Sequence, residues 1–153
     1  MPLIHGVRTK TLKVVPDERG RLIEMLRKDD ALFSKFGQVY CTTVNYGVVK
    51  GWHYHKQQVD NFVCLSGMIK LVLYDGRPGS PTKGRVNEFF LGTHNPLLVQ
   101  IPARVHHGFK GLTDPEAFVI NISTEPYRYD RPDEYRLDPH TSEIPYDWNR
   151  KDG

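Results

Sequence analysis

Gly51-Trp52-His53-Tyr54-His55 is the densest stretch of chemistry in the chain. In a β-strand, residues i and i+2 point to one face. This spacing therefore puts His53 and His55 together, with Trp52 and Tyr54 on the other side. Two imidazoles turned toward an interior are costly unless hydrogen-bonded, metallated or in contact with a ligand. An imidazole also titrates near neutral pH, which suits it to moving a proton. Asp60 follows five residues after His55, and a second pair, His106-His107, lies further on. His106 has the opposite strand parity to His107 and is expected at the surface. His5, His94 and His140 stand in loop-like contexts and receive no role. No Gly-rich phosphate loop and no Ser/His/Asp or Cys/His order is present.

Strands are what could hold such residues. Apolar or alternating runs at 38–46, 61–65, 68–74, 86–91, 97–101 and 117–122 are rich in Val, Ile, Phe, Tyr and Thr, which fit a pleated surface. Thirteen Gly and 11 Pro punctuate them at short intervals. Short strands at a spacing of about 8–12 residues predict an all-β sandwich or barrel. One short helix is expected over 30–36, with Asp30 as its cap, Leu32 and Phe36 four apart, and Gly37 as its stop. Asp75-Gly76-Arg77-Pro78-Gly79 reads as a hairpin turn. The tail from 126 to 153 is polar and rich in Tyr, Asp, Arg and Pro, and is expected to wrap the outside or fray.

The 153 residues fit a single domain spanning 1–153. A hydrophobic content of 39% and a charged content of 25% exclude a disordered chain. The formal charge of +3 is too small to argue for nucleic acid. No apolar run approaches the roughly 20 residues of a membrane span, and no signal peptide is visible. The two Cys, 41 and 64, lie in apolar runs and are expected as buried free thiols. A cytoplasmic enzyme or binding protein fits these features.

Two nested resemblances then become visible. Gly47, His53, His55, Asp60 and Gly67 fall at the spacings of the first cupin motif, with Asp where that motif has Glu. The block from Ile101-Pro102 to His107-Gly108-Phe109 resembles the second, with Arg104 in place of Gly. This resemblance implies a double-stranded β-helix, or jelly-roll barrel, whose two motifs face one another across a cavity.

Over nearly its whole length the chain also resembles the dTDP-4-dehydrorhamnose 3,5-epimerase family. The matching pieces are Asp17-Glu18-Arg19-Gly20 with Glu24, Lys50-Gly51-Trp52-His53-Tyr54, and Asp75-Gly76-Arg77 with Ser80-Pro81-Thr82-Lys83-Gly84. Ile101-Pro102 with His107-Gly108-Phe109, and Tyr129 with Pro132 and Glu134, complete the order. The family chemistry implied is proton abstraction next to the ketone of a nucleotide-linked 4-keto-6-deoxy sugar, without cofactor. His53 occupies the general-base position. Lys50 stands where the family has Arg, placed to hold an enolate oxygen or a phosphate, and His107 would line the same cavity. In the family, the N-terminal motif reaches a neighbouring subunit's substrate, so Arg19 and Glu24 imply substrate binding across a homodimer.

Several positions depart from that pattern. Ile120 aligns with the general-acid Tyr, and Tyr129 or Tyr127 could substitute only by folding back over the barrel mouth. Leu71 stands where the family has an Asp, and the chain ends before the family's C-terminal segment. Asp60 is left as the candidate carboxylate to orient the base. These changes keep open a metal-dependent cupin using His53, His55, Asp60 and His107 with a divalent transition metal, and a non-catalytic sugar-nucleotide binding module.

Overall fold

The alternating runs resolve into twelve strands in the computed structural model, which describes residues 2–152. They are β1 Arg8–Thr11, β2 Val14–Asp17, β3 Gly20–Ile23, β4 Gln38–Val44, β5 Val49–Tyr54, β6 Asp60–Ser66, β7 Met68–Tyr74, β8 Val86–Gly92, β9 Leu97–Ile101, β10 His106–Gly111, β11 Ala117–Ser123 and β12 Tyr135–Arg136. Two five-stranded sheets face each other, one ordered β1-β9-β6-β11-β4 and the other β12-β5-β10-β7-β8. A separate hairpin pairs β2 with β3. Every pairing between named strands is antiparallel. This is the expected all-β jelly roll.

Period-2 alternation sets what each sheet buries. From β7, Ile69, Leu71 and Leu73 enter the space between the sheets and meet Val44, Phe62, Val99, Ile101, Phe109 and Val119. Leu71, at the family's Asp position, is thus wholly buried core and has no catalytic part. The opposite face of the second sheet carries Trp52 and Val72 under Ile144 and Trp148 of the tail. The tail therefore packs as well as wraps. The indole N–H groups of Trp52 and Trp148 both donate to the Pro139 carbonyl, at 3.2 and 3.0 Å.

Three expectations need correction. No helix forms over 30–36: the Asp30 carboxylate turns back to accept the Arg27 amide at 2.8 Å and the Lys10 ammonium at 2.6 Å. The carboxylate is thus used up on the N-terminal side, and seven residues are too few to nucleate a helix alone. Leu32 packs against the Leu12–Val63–Leu98 cluster, while Phe36 stays exposed. Cys64 is buried as expected, but Cys41 is exposed, because it points outward from an edge strand. His106 is half-buried, with its ring 4.6 Å from that of Tyr54 and 6.0 Å from that of Tyr74.

Candidate active site

The two sheets part at one end to leave a cavity of about 1120 Å³. Its second-sheet wall carries Lys50 and His53 from β5 and His107 from β10, and His55 follows just past β5. The pairing of β5 with β10 slips by one residue between His107 and Phe109, so Lys50 and His53 both reach the cavity although three apart. Gly51 and Gly108 permit this close approach: a Cβ on Gly51 would lie 2.8 Å from the Gly108 Cα. The first-sheet wall presents Gln38, Tyr40 and Thr42 of β4 and Phe62 of β6. The tail from Glu125 to Leu137 forms the mouth.

His53 is half-buried, and burial lowers its pKa below the ordinary 6.5, against an opposing pull from Glu134. It is a neutral imidazole at pH 7. Lys50 donates to the Thr42 hydroxyl at 3.0 Å, so its ammonium spans from one wall to the other.

Asp60, 1% exposed, is the centre of a buried polar cluster. Its Oδ1 accepts from Gln58 Nε2 at 2.7 Å and from Asn121 Nδ2 at 2.8 Å. Its Oδ2 lies 3.2 Å from His55 Nε2 and 3.4 Å from His107 Nε2. Burial opposes charge on Asp60, but His55, His107 and Asn121 overcome it and hold the carboxyl down at about 2. Burial likewise opposes charge on His55, yet the ion pair with Asp60 lifts it to about 8. Burial prevails at His107, which falls to about 4. Asp60 therefore braces His55, while the neutral His107 gives its one proton to Val105 and has none on Nε2 to give Oδ2. The expectation that it orients His53 is corrected, because both its oxygens are already occupied elsewhere.

The expected four-donor metal set is corrected in the same way. Donor atoms of His55, Asp60 and His107 lie within 4.8 Å of one another, and His53 is outside that group. The His53 ring centroid is 6.1 Å from that of His107. Three donors could still hold an ion. His55 Nδ1 donates to the Asp133 carbonyl at 2.5 Å and His107 Nδ1 to that of Val105 at 3.2 Å. Such outer bonds are how proteins aim the other ring nitrogen at a metal.

The remaining sequence candidates lie apart. Arg19 and Glu24 sit on and beside the β2–β3 hairpin, paired with Asp17 and Arg27, and do not line this chain's cavity. Tyr129 is at the mouth but 91% exposed, edge-on to Tyr127 at 5.1 Å. It does not reach into the cavity from there. Ile120 does not face the cavity either. Asn121 pairs with Tyr40 across β11 and β4 and shares its inward face, so Ile120 points outward.

Other site residues escaped the sequence reading. Arg128 and Arg131 join Lys50, Lys56 and Arg136 around the cavity, against Glu125, Asp133 and Glu134. Asp133 clamps the loop after β5 by accepting the amides of Lys56, Gln57 and Gln58 at 2.8, 2.9 and 3.2 Å. Tyr40 was hidden inside a strand of ordinary β-forming composition. Only the alternation Gln38-x-Tyr40-x-Thr42 signals that its side chain shares the cavity face.

The family model described as dTDP-4-dehydrorhamnose 3,5-epimerase matches residues 2–153. A "Probable low-salt glycan biosynthesis epimerase Agl13" of Haloferax volcanii is 40% identical over 151 residues, covering 97% of both chains. The spore coat polysaccharide biosynthesis protein SpsL of Bacillus subtilis is 37% identical over 147 residues, 96% of this chain and 97% of that one. The crystal structure of a dTDP sugar isomerase from Desulfovibrio desulfuricans G20 superposes with a TM-score of 0.91 at 35% identity, over 97% of this chain and 94% of that one.

Proposed function

We propose that this chain, which belongs to the dTDP-4-dehydrorhamnose 3,5-epimerase family, epimerises a carbon next to the ketone of a nucleotide-linked 4-keto-6-deoxy sugar. The observation that carries this reading is His53, a neutral imidazole on the wall of a large cavity that the Lys50 ammonium also lines. A hydrogen next to a ketone is acidic because the resulting carbanion is an enolate. His53 removes it as general base. Lys50 holds the enolate oxygen, and His107 lines the same wall. The cations at the mouth suit the diphosphate of a nucleotide sugar. The names of the glycan-biosynthesis epimerase and the dTDP sugar isomerase support the reaction class. No step requires a cofactor.

The working unit in this reading is a homodimer. Val39 and Phe118 are 54% and 42% exposed on the outer face of β4 and β11, and Leu22 is 59% exposed on the hairpin that carries Arg19 and leads to Glu24. Docking these apolar surfaces would bring Arg19 and Glu24 toward a partner's cavity. Among the described residues no helix is long and apolar enough to cross a membrane.

The test is incubation in heavy water with dTDP-4-keto-6-deoxyglucose and its analogues. Deuterium should enter next to the ketone, and His53→Ala should abolish uptake. Folded wild-type protein that exchanges none of them would count decisively against the reading. The aimed nitrogens of His55 and His107 favour one second reading, a divalent metal held with Asp60. Titration with Zn(II), Mn(II) or Fe(II), showing stoichiometric binding lost in His55→Ala, would support it.

A further inference from the structure

We infer that Tyr40 is the acid that returns the proton on the face of the sugar opposite His53. The inference rests on the epimerase reading above and adds the group that makes exchange into inversion. A base alone takes a proton from one face and gives it back there. Inversion needs a donor on the opposite wall.

His53 belongs to the second sheet, so the donor must come from the first. Among the described residues lining that wall, Gln38, Tyr40, Thr42 and Phe62, only Tyr40 bears a proton of suitable acidity. Its hydrogen bonding leaves that proton free. Asn121 Oδ1 accepts the Asn61 amide at 3.1 Å, which fixes the orientation of the side-chain amide. Asn121 Nδ2 then spends one hydrogen on Asp60 Oδ1 and the other on the Tyr40 hydroxyl, at 2.8 and 3.0 Å. The hydroxyl is an acceptor in that bond, so its own O–H is available to the cavity. Tyr40 is 40% exposed; its partial burial raises the pKa, partly offset by the Asn121 bond, so the phenol holds its proton at neutral pH.

The other proton carriers have other places: Lys50 bonds to Thr42 at 3.0 Å and is assigned above to the enolate oxygen, and Tyr127 lies at the mouth against Tyr129. His55 has Nδ1 on the Asp133 carbonyl and Nε2 on Asp60. His107 gives its one proton to the Val105 carbonyl. Tyr129 is exposed at the mouth.

The step balances without a further reactant. His53 takes the C–H proton, and the C–H electron pair becomes the enolate double bond as the carbonyl pair moves to oxygen. When that oxygen pair re-forms the C=O bond, the carbon takes the Tyr40 proton on its other face. The phenolate left behind accepts a charge-assisted bond from Asn121. Water entering the cavity reprotonates it and deprotonates His53.

The experiment follows both deuterium uptake and configuration in heavy water, with dTDP-4-keto-6-deoxyglucose as probe. Tyr40→Phe should slow inversion about 100-fold or more while His53-dependent uptake with retained configuration continues within several-fold of wild type. Tyr46→Phe, an exposed tyrosine away from the cavity, should invert at close to the wild-type rate. Two outcomes overturn the inference and leave the epimerase reading standing: full inversion in Tyr40→Phe, or equal loss of exchange and inversion in a variant that folds normally by circular dichroism. If wild-type protein exchanges nothing, the epimerase reading fails and this assignment falls with it.

Discussion

Truncating Trp148 tests whether the tail is part of the barrel or a covering laid over it. Its indole is 2% exposed, with ring centroid 4.9 Å from Trp52 and 5.0 Å from Tyr146. It also lies against Gly108, whose added Cβ would meet the ring at 3.2 Å. A buried Trp replaced by Ala costs about 3–5 kcal/mol. The indole's hydrogen bond adds little to that, because the Pro139 carbonyl keeps its second donor, Trp52. In a chain of this size each kcal/mol lowers Tm by about 2–4 °C. Trp148→Ala should therefore lower Tm by about 6–20 °C, read by far-ultraviolet circular dichroism, since the indoles are the fluorescence probes. A cycle with Trp52→Ala isolates the ring–ring contact. Aromatic pairs add about 0.5–1.5 kcal/mol beyond their burial, so the two losses should fall short of additivity by about that amount. The same variant should weaken substrate binding, because the tail forms the cavity mouth and β12 pairs with the strand bearing His53. A loss under about 1 kcal/mol with additive effects would refute this account of the tail.

Three further outcomes follow from the same physical argument. Asp60→Ala strands the Gln58 and Asn121 amides and the His55 charge, and should cost about 3–5 kcal/mol by urea unfolding. Gly51→Ala should cost about 1–3 kcal/mol and sharply reduce turnover, because the new methyl pushes β5 away from β10 and moves His53 relative to His107. Asp75 is fully buried, and although burial opposes its charge, Arg77, Ser80 and Thr82 hold its carboxyl well below the usual range. A depressed pKa gives stability that is present above about pH 3.8 and is lost as pH falls toward the folded-state value. Asp75→Asn should thus lower Tm at pH 7 and progressively less in strong acid. A gap that is as wide at pH 2 as at pH 7 would contradict it.

β6, β7 and β9 were legible because their burial is two-sided and their composition reflects it. The runs at 68–74 and 97–101 match β7 and β9 to the residue. β1, β2 and β3 left no such signature. They are four-residue strands that bury little, and Arg8, Thr9, Arg21 and Asp17 are all exposed on them. A strand that faces water on most sides need not be apolar, so composition cannot reveal it. The mistaken helix at 30–36 has the converse cause: Leu32 and Phe36 have helical spacing, but only Leu32 has a core to enter.

The cavity wall bearing the histidines was more legible than the wall facing it. His53, His55 and His107 are rare residues at fixed spacings, and period-2 alternation is enough to put each on the cavity side. The first-sheet wall uses Gln38, Tyr40 and Thr42, types that any strand tolerates. What distinguishes Tyr40 is a partner 81 positions away, Asn121, whose orientation depends in turn on Asn61 and Asp60. Reading along one segment cannot show a relation spread over four strand positions. Ile120 is excluded as an acid on two grounds: it has no proton to give, and parity at β11 turns it outward and gives the inward place to its neighbour Asn121. Tyr40 and Asn121 lie on adjacent strands of the same sheet. A hydroxyl on β4 stands on the wall opposite His53, and the wall is what the stereochemistry of inversion requires.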